Sequence, residues 1–103
     1  MSQTGPTCRI DVFDGDERAR YQALRAAMRA AAQETRELSD GYAVRFRPDP
    51  GAFRDVAEWI TMERRCCSFL TLALEWSEDQ VWLRLTGGEG VKAFLADGFA
   101  SRV

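Results

Sequence analysis

Two hydrophobic periodicities alternate along this chain, and their order constrains the fold more than any other feature of the sequence. Apolar residues occupy every second position in four short segments, as in half-buried strands, at 8–13, 42–46, 69–76 and 81–86. They recur every third or fourth position in three others, as in amphipathic helices, at 17–38, at 50–65 and in a short stretch that ends at Gly98. The predicted order is therefore strand, helix, strand, helix, strand, strand, helix.

This order predicts an α/β fold, a two-layer sandwich in which a mixed four-stranded sheet carries three helices on one face. A chain of 103 residues has room for one hydrophobic core and no second one. We therefore expect a single α/β domain over residues 8–103, preceded by a flexible N-terminus over residues 1–7.

The chain contains no histidine, and this absence excludes several kinds of site at once. Ser-His-Asp and Cys-His catalysis, haem ligation by histidine and mixed Cys/His zinc sites all need an imidazole. Chemistry in this protein must use thiols, carboxylates or arginines. With a net charge of -2, the chain has no overall attraction to nucleic acid, which is therefore not an expected partner.

Cysteine usage and hydropathy predict a cytoplasmic protein. The three cysteines are an odd number and two are adjacent, which is a poor disulfide framework and is typical of a reducing compartment. No basic segment precedes an apolar run at the start of the chain, and nowhere do about eighteen apolar residues follow one another. We therefore expect no contact with a membrane.

The sharpest motif is the run Glu-Arg-Arg-Cys-Cys at 63–67, where the second predicted helix gives way to the third predicted strand. Helical spacing places Cys67 on the core side of that helix. The same spacing places Cys66 on the flank, beside Trp59. One thiol is thus expected to point inward and the other sideways.

Charges next to the cysteine pair are expected to control its reactivity, since the thiolate is the reactive form of cysteine. Arg64 and Arg65 favour the thiolate, whereas the partial negative charge at a helix C-terminus opposes it. Glu63 precedes the two cysteines by three and four residues, within reach along a helix. It is a candidate base, metal ligand or salt-bridge partner of the arginines.

Thiolates prefer soft ions, so the cysteine pair predicts a site for Cu(I), Zn(II), mercury or trivalent arsenic. Cys8 is predicted to point inward on the first strand and would give a three-sulfur site with Cys66 and Cys67. Our principal interpretation is a small protein that binds a soft metal or metalloid ion as its cofactor and is not itself a classical enzyme.

Two other interpretations stay open at this point. In the first, Cys66 is the nucleophile of a thiol redox protein or a cysteine enzyme, and Cys67 or Cys8 resolves the product. In the second, the cysteines only pack, as free cysteines in protein cores commonly do, and the protein is a homodimeric interaction module.

Strand alternation also predicts a cationic and aromatic face on the side of the sheet opposite the helices. It would carry Arg9, Arg45, Arg47 and Arg84, with Trp82 among them. Such a face suits an anion or a protein partner, because exposed aromatic patches mark interfaces. We therefore expect a homodimer that covers this face.

Two segments of the chain carry a recognisable motif. The first, 63–70, reads E-R-R-C-C-S-F-L, and the second, 83–95, reads L-R-L-T-G-G-E-G-V-K-A-F-L. Together they resemble a group of small uncharacterised bacterial proteins that share E-R-x-C-C-P-F, a hairpin and L-T-G-x-x-G-x-K-x-F-L, over Gly41 to Leu95. Ser68 replaces the proline usual in the group, which implies a more flexible junction. Names suggesting a response to mercury or arsenic occur among similar chains, so the resemblance favours a soft ion.

Overall fold

The computed structural model describes residues 9–98 of the chain. Within them the elements follow in the order α1 (Gly15–Ala31), β1 (Ala32–Leu38), β2 (Gly41–Phe46), α2 (Pro50–Cys66), β3 (Thr71–Ser77), β4 (Gln80–Thr86) and α3 (Val91–Gly98). A single 3-10 turn, Ile10–Val12, precedes α1. The segment 1–7, predicted to be flexible, and Cys8 lie outside the described residues. No helix in the described range is long and apolar enough to cross a membrane.

The four strands form one sheet in the spatial order β1-β2-β4-β3, and the helices pack against one face of it around a common core. The predicted two-layer α/β architecture, with four strands and three helices, is therefore confirmed. The sheet is antiparallel throughout and not mixed. Two-residue turns join β1 to β2 and β3 to β4, and such short turns connect only antiparallel strands. The longer connection between β2 and β4, through α2 and β3, also leaves these two strands antiparallel.

The first predicted strand, 8–13, is wrong for the part that the structure describes, because the chain forms the turn Ile10–Val12 there. A capping box at Asp14 starts α1 directly afterwards. The Asp14 carboxylate accepts from the Glu17 N–H at 2.8 Å, and the Glu17 carboxylate accepts from the Asp14 N–H at 3.0 Å. Phe13 is buried and its ring centroid lies 5.1 Å from that of Tyr21. Phe13 thus packs the end of this turn against α1, whereas Val12 is exposed.

The long helix predicted over 17–38 divides into α1 and β1, which meet at Ala31 and Ala32 without a loop. β1 pairs with β2 across the turn at 39–40, and the Arg47 N–H donates to the Ala31 carbonyl at 2.8 Å where the helix ends. Glutamine, glutamate and arginine in 32–38 are good helix formers, but their advantage is below about 1 kcal/mol per residue. The hydrogen bonds and side-chain pairs between β1 and β2 stabilise the strand by more than this helical preference.

The remaining elements follow the sequence prediction. α2 begins after Asp49, whose carboxylate accepts from the Ala52 N–H at 2.9 Å, with Pro50 in the first turn. β3 and β4 form the predicted hairpin. One core fills the space between the sheet and the helices, and its largest fully buried side chains include Trp59, Phe46, Leu24, Leu83, Leu85, Leu95, Val44, Val56 and Val81.

Candidate functional site

The cysteine pair lies where α2 ends. Cys66 is the last residue of the helix, and the Cys67 N–H donates to the Glu63 carbonyl at 2.7 Å. The chain then turns toward β3, with the Leu70 N–H donating to the Cys67 carbonyl at 3.1 Å. Cys66 is 3% exposed and Cys67 is 0% exposed, and their Sγ atoms are 3.4 Å apart. Two sulfur atoms are therefore in contact inside the core.

The prediction that Cys66 lies on the flank of the helix is wrong. The buried stripe of α2 runs through Val56, Trp59, Glu63 and Cys66, at the three- and four-residue spacing of a single helix face. Trp59, predicted to lie beside the thiols, is fully buried in this stripe. Cys67 also reaches the core, because the backbone leaves the helical conformation at this residue, with φ -127° and ψ 68°.

The two cysteines differ in their bonding. Cys66 is a free thiol, whereas Cys67 is disulfide-bonded. The 3.4 Å between their Sγ atoms is a non-bonded contact, since a disulfide bond is about 2.05 Å long. Cys8, the third predicted sulfur ligand, lies outside the described residues. The backbone N–H of Arg9 donates to the Cys66 carbonyl at 2.8 Å, which fixes the start of the described chain at the cysteine pair.

Glu63 is a buried carboxylate one helical turn before Cys66, only 5% exposed. Its Oε1 atom accepts a hydrogen bond from the Tyr21 hydroxyl at 2.5 Å. Burial raises the pKa of Glu63, while the hydrogen bond from Tyr21 and the charge of Arg25 oppose this rise. Of the roles that the sequence left open for Glu63, base and ligand are compatible with this buried position.

Cys66 shares the environment of Glu63. Burial raises the pKa of the Cys66 thiol, and the negative charge of Glu63 raises it further. Tyr21 and Arg25 act in the opposite direction on the pKa of the same thiol. The pKa of Tyr21 is itself raised, first by burial and then by Glu63. The neutral thiol is therefore the favoured form of Cys66 in this site.

The two arginines before the cysteines are directed away from the thiols. Arg65 donates to a Glu17 carboxylate oxygen at 2.9 Å, and its guanidinium lies 5.2 Å from the centre of the Phe13 ring. Arg64 is exposed to solvent. The expectation that Arg64 and Arg65 favour the thiolate is therefore corrected, because the arginine whose charge acts on Cys66 is Arg25 of α1. Arg65 instead holds the start of α1 against the end of α2.

Tyr21 and Arg25 are site residues that the sequence analysis does not identify. Both lie on α1, four residues apart and therefore on the same side of that helix. Tyr21 fits the apolar stripe of an amphipathic helix, and arginines are ordinary on its exposed face, so neither stands out in the sequence. Only the packing of α1 against α2 brings them to Glu63.

Glu63, Cys66 and Cys67 each offer one potential ligand atom, and these three atoms lie within 4.8 Å of one another. All three residues are buried. With Cys67 reduced, two sulfurs and a carboxylate oxygen would form a donor set for a soft or borderline cation. The same arrangement places a free thiol next to a disulfide sulfur, which is the starting geometry for thiol–disulfide exchange.

Two of the arginines predicted on the outer face of the sheet lie elsewhere. Arg9 precedes the 3-10 turn and forms an exposed ion pair with Asp11 at 3.7 Å. Arg47 follows β2 and donates to Asp49 at 2.6 Å, at the start of α2. Neither is part of the sheet, because the predicted first strand is absent from the described residues and β2 ends at Phe46.

Arg45, Arg84 and Trp82 do occupy the sheet face opposite the helices, in alternation with buried core residues of β2 and β4. Each of these two arginines is paired with a glutamate of the neighbouring strand, at 3.1 Å for Arg45 and 3.4 Å for Arg84. The guanidinium of Arg36 lies over the Trp82 ring, 4.8 Å from its centre. The face is thus balanced in charge and not strongly cationic, and antiparallel sheets commonly leave such a face to water.

No family model matches the chain, and no curated protein or solved structure matches it either. The resemblance of 63–70 and 83–95 to small bacterial proteins therefore stays a prediction from the motif.

Proposed function

We propose that this protein, in its reduced state, binds one soft metal or metalloid ion through Glu63, Cys66 and Cys67. The observation that carries the proposal is the grouping of three buried ligand atoms within 4.8 Å. Ionised carboxylates and thiolates are costly to bury unless a positive charge offsets them. A bound cation would supply that charge at the point where the three side chains meet.

The separation of the two sulfur atoms supports shared coordination. Two thiolates bound to one tetrahedral ion at about 2.3 Å lie about 3.8 Å apart. The Sγ atoms of Cys66 and Cys67 are 3.4 Å apart, so a small rotation of one side chain would bring them to the separation of two thiolates on one ion. α2 holds Glu63 and Cys66 one turn apart, and the hydrogen bond from the Cys67 N–H to the Glu63 carbonyl holds the third ligand beside them.

The donor set favours soft ions over hard ones. Thiolates select Cu(I), Zn(II) and, by the same softness, mercury and trivalent arsenic over Mg²⁺ and Ca²⁺. We extend the proposal to Cys8, which the sequence offers as a third sulfur ligand and which lies outside the described residues.

Binding requires that Cys67 be reduced, because a ligating cysteine must be a thiolate and Cys67 is disulfide-bonded. A reducing compartment such as the cytoplasm supplies the reduced form. We therefore expect the reduced protein to bind the ion and the oxidised protein not to bind it.

Titration of the reduced protein with Hg(II), trivalent arsenic or Zn(II) tests the proposal. Thiolate charge-transfer absorption reports binding, and native mass spectrometry counts the ions. We expect one ion per chain. Cys66→Ser should weaken binding by more than about 100-fold, and Glu63→Gln by roughly 10- to 100-fold.

Glu58→Gln is the matched control. Glu58 lies on the same helix as Glu63, but it is only half-buried at the surface and pairs with Arg20 at 2.6 Å, so this variant should bind as the wild type does. Circular dichroism of each variant checks that the fold is retained. If none of the three ions changes the absorption, or if folded Cys66→Ser binds as tightly as the wild type, the proposal fails.

A second candidate function is thiol–disulfide exchange, because the free thiol of Cys66 lies 3.4 Å from the sulfur of disulfide-bonded Cys67. In this step the Cys66 sulfur attacks the Cys67 sulfur and a Cys66–Cys67 bond forms. The earlier bond to Cys67 breaks, and its other sulfur, which we assign to Cys8, leaves as a thiolate. The Cys66 proton passes to the Glu63 carboxylate. The number of disulfides is unchanged, so no external oxidant is needed.

The raised pKa of Cys66 lowers its thiolate fraction, so this exchange should be slow at neutral pH. Iodoacetamide labelling of the native, unreduced protein, with mass spectrometry of each cysteine, separates the two candidates. Exchange places label on Cys8 as well as on Cys66. If the label stays on Cys66 alone during a long incubation, exchange is excluded. That result does not bear on ion binding, which requires the reduced protein.

A further inference from the structure

The two outer strands of the sheet differ in how their open edges are protected. β1 and β3 are the edge strands, and within residues 9–98 each pairs on one side only. β1 carries three charged residues, Glu34, Arg36 and Glu37, and its register with β2 is irregular near Glu34. Charges and bulges at an edge discourage pairing with another strand. β1 is therefore a protected edge.

β3 lacks most of these protections. Its seven residues pair with β4 in unbroken register from Thr71 to Ser77, without a bulge or a proline, and Glu75 is its single charged residue. Every residue of β3 is exposed or half-buried. A long, regular strand of this kind with an open edge is a template for pairing with a further strand.

The side of β3 that faces the helices is apolar and incompletely covered. Leu72 and Leu74 are half-buried, and Trp76 is 40% exposed. The Trp76 ring rests on Phe53 of α2 at 5.3 Å between centroids, and its Nε1 donates to the Glu78 carbonyl at 3.1 Å. The polar atom of Trp76 is thus satisfied, while part of its ring remains in solvent beside the open edge.

We propose that β3 pairs antiparallel with β3 of a second copy of this chain, about a two-fold axis at Leu74, to make a continuous eight-stranded sheet. This proposal is independent of the ion-binding function. It differs from the homodimer expected from the sequence, which would use the outer face of the sheet. On that face Arg45 and Arg84 are held in ion pairs, and Trp82 is half-buried with the Arg36 guanidinium over its ring.

The strand is self-complementary in this register, as a two-fold interface requires. Leu74 meets the partner's Leu74, and Trp76 meets the partner's Leu72, which extends the apolar layer across the junction. Glu75 meets the partner's Ala73, so no like charges lie directly opposite each other. Glu75 is also held by Arg84 of its own chain at 3.4 Å.

The backbone supports the same register. Ser77 and Gln80 flank a two-residue hairpin turn and pair with each other, so alternate residues of β3, back from Ser77 to Thr71, bond to β4. The peptide groups of Leu72, Leu74 and Trp76 then point to the open edge. A two-fold axis at Leu74 makes each of them a hydrogen-bonded partner of the second copy.

Sedimentation equilibrium over a range of concentrations, with charge variants at Ala73, tests the proposal. Ala73 lies opposite Arg84 within the chain and opposite the partner's Glu75 in the proposed dimer. Ala73→Glu should suit the monomer but weaken the dimer about tenfold, because two pairs of like charges then meet. Ala73→Lys should have the opposite effects. It places a second positive charge opposite Arg84 within the chain, but it should keep the dimer as strong as in the wild type or make it stronger, because it meets the partner's Glu75.

Hydrogen exchange provides the second measurement. In the wild type, the amides of Leu72, Leu74 and Trp76 should gain protection as the dimer forms with rising concentration. If the protein keeps a monomeric mass while its concentration is raised about 100-fold, the proposal is overturned. Equal dimer dissociation constants for the two Ala73 variants also overturn it. Protection of these amides in a monomer also overturns it, because another part of the chain then covers the edge.

Discussion

The hydroxyl of Tyr21 donates a 2.5 Å hydrogen bond to the carboxylate of Glu63, and this contact joins α1 to the cysteine-bearing end of α2 inside the core. The two residues are 42 positions apart in the chain. Their contact lowers the free-energy cost of burying the Glu63 carboxylate beside two sulfur atoms, since a hydrogen bond offsets part of the cost of burying a charge.

Tyr21→Phe should therefore destabilise the protein by about 1–3 kcal/mol, because it removes a hydrogen bond to a buried carboxylate without changing the ring. Urea denaturation of the reduced protein measures the effect. Tyr42→Phe is the control, because Tyr42 is only half-buried and lies on β2. It should change the free energy of unfolding by less than about 0.5 kcal/mol. Equal losses in the two variants would contradict a special role for the Tyr21 hydroxyl.

Gly41 lies where β2 passes very close to β4, and it should not tolerate a side chain. A Cβ at this position would approach the backbone of Leu85 and Thr86 at distances that no real contact shows. Gly41→Ala should therefore destabilise the fold by about 2–4 kcal/mol. Gly15→Ala, where a Cβ meets nothing within 4 Å at the start of α1, should be neutral or stabilise by up to about 1 kcal/mol. Thermal unfolding distinguishes the two.

Glu78 occupies the turn of the β3–β4 hairpin with φ 55°, a conformation that favours glycine. Glu78→Gly should stabilise the protein by about 0.5–1 kcal/mol, because it removes the steric cost and keeps the carbonyl that accepts from Trp76. Asp79→Gly, one residue later in the same turn, should instead destabilise by about 0.5–1 kcal/mol through added chain entropy. A melting temperature that moves in the same direction for both variants would refute this explanation.

The contact between Glu17 and Arg65 predicts a pH dependence of stability. The hydrogen bond from Arg65 lowers the pKa of Glu17 below its ordinary value of 4.5, so the folded state holds the carboxylate ionised more strongly than the unfolded state does. The stabilisation is present above pH 4.5 and is lost as the pH falls through the lower pKa of the folded state. In Glu17→Gln this part of the acid destabilisation should be absent.

Denaturant unfolding at a series of pH values compares Glu17→Gln with the wild type. The wild type should be the more stable at neutral pH, and the difference should shrink as the pH falls below 4.5. Glu89→Gln, at an exposed position outside the helices, is the matched control and should leave the wild-type pH profile unchanged. A difference between wild type and Glu17→Gln that is constant with pH would show that the ionisation of Glu17 is not involved.

Local signals predicted the parts of the fold that depend on neighbouring residues. Asp49 and Pro50 start α2 as expected, and the hairpin between β3 and β4 forms where the alternating pattern breaks at 78–79. The helix predicted over 17–38 is wrong at 32–38, because helical propensity contributes a small energy per residue and pairing with β2 contributes a larger one. The strand predicted over 8–13 is wrong at 10–12, because so short an alternating pattern suits a turn as well as a strand.

The sequence by itself limited the chemistry available to this protein, since a chain without histidine brings no imidazole to a site, and it placed two of its three cysteines side by side. Tertiary structure alone decided which groups surround them. Tyr21 and Arg25 reach Glu63 because α1 packs on α2, and Arg65 is drawn away to Glu17 by the same packing. These contacts join residues about 40 or more positions apart, and no periodicity within one segment carries information about such a separation.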